Sequence, residues 1–101
     1  MLTDKLYSEM ELLSRHIKVL EIVKEKQPIG IVRISQELGL GEHEVRHSLR
    51  ILENEGFIKS TPNGAVIRGN IKDGLLNAVE VLDEVSQTIR IIKREILKLV
   101  V

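Results

Sequence analysis

Gly39-Leu40-Gly41-Glu42-His43-Glu44-Val45-Arg46-His47-Ser48-Leu49-Arg50-Ile51-Leu52-Glu53-Asn54-Glu55-Gly56 is the stretch on which the fold turns. Two glycines flank one leucine at its start. Gly39 and Gly41 permit the backbone angles of a tight corner, and Leu40 can point inward to pin it. From Glu42 to Asn54 the apolar positions Val45, Leu49 and Leu52 recur at spacings of four and three, which predicts a helix with one buried face. Gly56 stands where such a helix takes its C-terminal cap.

Working outward, Ile31, Ile34 and Leu38 share one face of a short helix that precedes the corner. Upstream again, Leu6, Met10, Leu13, Ile17 and Leu20 are spaced for one long amphipathic helix over residues 3–26, with Thr3 as its expected N-cap and Pro28 closing it. Downstream, residues 57–60 and 65–68 flank Thr61-Pro62-Asn63-Gly64 and predict a hairpin on a type I turn with a bulge. Asn70, with Asp73 three residues on, is the expected cap of a last helix that runs to the C-terminal residue.

Helix, short helix, glycine corner, helix and hairpin is the order of a winged helix-turn-helix. The predicted fold is therefore mainly α with a small β-hairpin wing, followed by a long C-terminal coiled-coil helix. Residues 1–70 form the first domain and residues 71–101 a dimerisation helix. Residues 27–40 and 45–58 resemble the core of archaeal winged helix-turn-helix transcriptional regulators, most of all in the ending Leu52-Glu53, then Gly56-Phe57-Ile58. The resemblance covers roughly residues 14–68, and it implies a DNA-binding regulator that dimerises through added helices.

Charge restricts this reading to local placement. Fifteen Lys and Arg balance fifteen Asp and Glu, so no overall basic character draws the chain to nucleic acid. With Val45, Leu49 and Leu52 turned inward, the other face of the helix 42–54 carries His43, Arg46, His47 and Arg50. These are the candidate base and phosphate contacts, Arg46 and Arg50 first, because a guanidinium fork matches guanine or phosphate. Arg33, Lys59 and Arg68 are candidate phosphate contacts. The helix opens with Glu42 and Glu44. Such acids stabilise a helix N-terminus through its dipole; alternatively, one accepts from a cytosine amino group.

Other chemistries find little to work with. The chain has no cysteine, which excludes disulfides and thiolate metal sites. His43 and His47 have the i, i+4 spacing that two metal ligands use, but no further ligand accompanies them, so no metal or cofactor is expected. No nucleophile and base, and no phosphate-cradling glycine loop, can be read, so no enzyme is expected. No apolar run is long enough to span a bilayer, and the expected setting is cytoplasmic.

Ile71, Leu75, Ala78, Leu82, Val85, Ile89, Ile92, Ile96 and Leu99 alternate spacings of four and three without a polar interruption. This is a heptad seam and predicts a homodimer. Val79, Val81 and Val100 flank the seam where a two-stranded coil places charges, so the surface is too wide for one partner helix. The front of the first helix, with Leu6, Met10 and Leu13, supplies the missing surface in a four-helix interface. Flanking charges do not set whether the helices run parallel or antiparallel. The leading expectation is a homodimeric regulator with residues 42–54 in the major groove of double-stranded DNA. A winged-helix protein-interaction module and a sequence-nonspecific architectural chromatin protein are the alternatives.

Overall fold

The computed structural model describes residues 1–101, in the order α1 (Asp4–Lys26), α2 (Ile31–Leu38), α3 (Glu42–Asn54), β1 (Ile58–Thr61), β2 (Gly64–Ile67) and α4 (Lys72–Lys98). The chain is mainly helical with one antiparallel hairpin. It divides into two compact units, Met1–Gly69 and Asn70–Val101.

In the first unit α1 packs on α3, α2 and β2, and α3 packs on α2 and β1. The core consists of Val19, Leu20, Ile22, Val23, Ile29, Ile34, Val45, Leu52, Ile58 and Ala65. Each fully buried aliphatic chain of this kind is worth roughly 1.5–3 kcal/mol relative to exposure. The inward face of α1 differs from the expected stripe. His16, Val19, Leu20, Ile22 and Val23 are buried, whereas Leu6, Met10, Leu13 and Ile17 are 42–54% exposed. At about 100° per residue the two faces lie about a third of a turn apart, and only Leu20 belongs to both. Thr3 precedes α1 but makes no side-chain capping bond; Asp4, in the first turn, instead pairs with the N-terminal ammonium of Met1.

The glycine corner has the expected form at Gly39 but not at Gly41, whose φ of −68 is one that any residue adopts. Gly39 is left-handed at φ 67 and ψ 31, and its N–H, like that of Leu40, donates to the Ser35 carbonyl. Ser35 Oγ donates back to the Leu40 carbonyl, and the Leu40 side chain is half-buried. Gly41 caps α3 from an extended conformation, with its N–H donating to Glu44 Oε1 at 3.0 Å. At the far end Gly56 takes φ 85, and the Phe57 N–H reaches the Leu52 carbonyl at 2.9 Å.

The hairpin pairs Ile58 with Ile67 and Thr61 with Gly64, so each strand lies one residue nearer the loop than predicted. Pro62 and Asn63 keep negative φ, and the positive φ of 125 falls on Gly64. A second constraint on Gly64 was not legible. The backbone of Ile29 bridges Ala65, donating to its carbonyl at 3.2 Å and accepting from its N–H at 2.8 Å. A Cβ at Gly64 would lie 2.6 Å from the Ile29 carbonyl carbon. The glycine is therefore required by a close backbone approach as well as by its angle.

The second unit is α4, about 40 Å long at 1.5 Å per residue. Helix begins at Lys72, later than predicted, and Asn70 Oδ1 accepts the Lys72 N–H at 2.9 Å from just outside. No residue of α4 is buried. No helix in the chain is long and apolar enough to cross a membrane.

Candidate nucleic-acid interface

Helix α3 buries Val45, Ser48 and Leu52, while Leu49 is only half-buried. The inward row thus contains a hydroxyl where leucine was expected. On the other side His43, Arg46 and Arg50 are exposed, with the two arginines one turn apart and neither in an ion pair or side-chain hydrogen bond. His47 is half-buried and turns toward α1 instead. Its Nδ1 lies 2.9 Å from an Arg15 terminal nitrogen.

Arg15 and His16 are the residues that sequence reasoning missed. Arg15 Nε donates to Ser48 Oγ at 3.0 Å, and a terminal nitrogen reaches Glu44 Oε2 at 3.4 Å. His16 Nδ1 lies 2.7 Å from the same Ser48 hydroxyl, and its ring meets that of His47 edge-on at 5.7 Å between centroids. Burial lowers the His16 pKa below the ordinary histidine value, helped by the Arg15 guanidinium and by His47. One signal was available: His16 shares a helical face with Val19 and Val23.

The other candidate cations come from separate elements. Lys59 on β1 and Arg68 after β2 are exposed and unpaired, and Arg33 on α2 comes no nearer than 3.9 Å to Glu37. Glu37 is held by Lys26 of α1 at 2.7 Å, and that bond lowers its pKa before any contribution from Arg33. Two acids of α3 are engaged inside the unit. Glu44 caps Gly41 and meets Arg15, and Glu53 Oε2 accepts the Ser60 N–H at 3.1 Å. Glu42 stays exposed in the first turn of α3, where the helix dipole favours it. A shallow cavity of about 460 Å³ opens beside this cluster, lined by Glu11, Lys18, Leu38 and Leu40 among others. No third ligand joins His43 and His47 in a group able to hold a metal ion.

Along the predicted seam, Leu75, Ala78 and Ile89 are half-buried, and Leu82, Val85, Ile92 and Ile96 are exposed. Ile71 and Leu99 lie just outside the two ends of α4. Leu76, Ile91 and Leu97, off the seam, are exposed as well, so apolar side chains extend beyond a single stripe.

The sequence matches no protein family and no curated protein. Among solved structures, the chain is similar to the activation domain of the phage T4 transcription factor MotA, with a TM-score of 0.53 and 19% identity over 72% of this chain and 78% of that one. At that identity the likeness concerns the fold alone: helices with a small hairpin, in a domain taken from a transcription factor.

Proposed function

We propose that this chain is a DNA-binding transcriptional regulator, a winged helix-turn-helix in which α3 enters the major groove and the hairpin is the wing. One observation carries the reading: Arg46, Arg50, Lys59 and Arg68 have no partner within the chain, while Glu44 and Glu53 are engaged inside it. Unpaired guanidinium and ammonium groups are thus available to phosphate although the net charge is zero. The regulator acts as a homodimer, with the seam of α4 covered by a second copy and the exposed α1 residues Leu6, Met10 and Leu13 adding apolar surface. The reading assigns no catalysis, cofactor or metal, and its setting is the cytoplasm.

A second reading has its own support. The solved neighbour is called an activation domain, and Glu42 and Glu55 remain exposed near the cations, which suits a protein-interaction module. Titrating a duplex library at two salt concentrations separates the possibilities. Arg46→Ala is expected to cost about 1–3 kcal/mol and relax one position of each half-site, whereas Arg50→Ala weakens all sequences alike and lowers the salt slope by about one per subunit. Absence of binding at low salt favours the protein-interaction module. Equal binding to all sequences favours an architectural chromatin protein.

A further inference from the structure

We infer that Arg15, His16, His47 and Ser48 form a proton-sensitive clamp that sets how α3 is held and hence how Arg46 is presented, an inference that rests on α3 being the helix that contacts DNA. Arginine has donors only, so the His47 Nδ1 that lies 2.9 Å from Arg15 must offer a lone pair. A proton on that nitrogen would set N–H against N–H and place a second cation against the guanidinium.

Ser48 imposes a similar condition. Its Oγ accepts from Arg15 Nε, and the partner for its own proton is His16 Nδ1 at 2.7 Å. Protonating His16 turns that acceptor into a donor, leaves the hydroxyl proton without this partner, and puts a cation on a ring that is 8% exposed. The surroundings do not compensate. The charged groups in contact with the cluster are Arg15 from α1 and Glu44 from α3, and Glu11 and Lys18 of α1 line the cavity beside those two. Glu44 has one oxygen already committed to the Gly41 N–H. The other packed elements add nothing, since β2 is Gly64-Ala65-Val66-Ile67, β1 carries only Lys59, and on α2 Arg33 and Glu37 lie near each other and Lys26. Within the cluster itself the charge already present is that of Arg15, which Glu44 meets at 3.4 Å.

Positions 44, 47 and 48 are the points where α1 grips the first half of α3 by hydrogen bonds. Uptake of a proton by His16 breaks the part of that grip that runs through the Ser48 hydroxyl proton. Acidification therefore loosens the helix that carries Arg46.

The test uses the full chain. Amide-exchange protection factors are measured at pH 7.5 and 5.5 for wild type and for the His16→Asn, His47→Asn double variant, in which amide groups replace the titrating rings. Expected is at least a tenfold loss of protection over residues 45–49 in wild type at the lower pH, with α2 unchanged, and no such loss in the double variant. A flat wild-type profile overturns the clamp, as does an equal loss in the double variant. Should the double variant be unfolded at pH 7.5, Arg15→Met replaces it: the clamp requires residues 45–49 to be deprotected already at pH 7.5 and insensitive to further acidification, and a wild-type response overturns it. Affinity for duplexes is measured in parallel. A protein that binds no duplex yet shows the exchange response refutes the DNA reading and leaves the clamp in place; a flat exchange profile refutes the clamp whatever the DNA result.

Discussion

The rear half of α1 and the whole of α4 carry the same kind of apolar periodicity, and the fold treats them in opposite ways. Between His16 and Val23, α1 buries five side chains against α3, α2 and β2. Helix α4, with 27 residues, buries none, and Leu82, Val85, Ile92 and Ile96 remain 41–48% exposed. A 3.6-residue period states that one face is better out of water; it is silent about what covers that face. The front of α1 makes the same point within one helix. Leu6, Met10, Leu13 and Ile17 keep the period and stay exposed, while the chain packs a neighbouring face that includes a histidine.

The difference between the helices is open to experiment, and the largest effect is expected in α4. Ile89→Asp places a carboxylate on the proposed dimer seam twice per assembly, at a cost of several kcal/mol. Sedimentation should turn from dimer to monomer or unfolded chain, and a monomeric wild type at micromolar concentration removes the seam from the reading. In the first unit, Ile34→Ala empties a fully buried position and should cost roughly 2–5 kcal/mol. This loss, read by chemical denaturation, should not depend on protein concentration. If it does, the contrast between a self-contained unit and a partner-dependent helix fails.

Smaller effects sharpen the picture of the first unit. A Cβ at Gly39 meets no heavy atom within 4 Å, so the expected cost of Gly39→Val, about 1–2 kcal/mol, comes from backbone strain at φ 67. Melting should fall while the oligomeric state survives. The smallest effect is a pH dependence. The lowered pKa of His16 means that the unfolded chain binds its proton more readily than the fold does, so the stability it contributes is complete above about pH 6.5 and declines as pH falls below that value. Thermal melts at pH 7.5 and 5.5 should show the decline in wild type, and His16→Asn should reduce it.

The helices, the glycine corner and the hairpin were legible because each depends on residues within a turn or two of one another. Gly39, read as permitting the angles of a tight corner, is left-handed, and the turn read around Pro62-Asn63 puts its positive φ on Gly64. The candidate site was legible in part. Arg46 and Arg50 stand exposed on α3 as the inward position of Val45 and Leu52 requires, but His47 does not join them, because its neighbour across the helix interface is Arg15. No local pattern announces a partner that distant.

By itself, then, the sequence determined which helices form and in what order, where the chain turns and which helices have an apolar face, since those follow from backbone angles and short-range spacing. Tertiary structure decided which face of α1 became core, that Ser48 rather than Leu49 is fully buried, and that Gly64 must admit the backbone of Ile29. Arg15 and His16 reach Ser48 across 33 and 32 positions of the chain. Contacts at that separation depend on how whole elements pack, and side-chain periodicity within any one element carries no record of it.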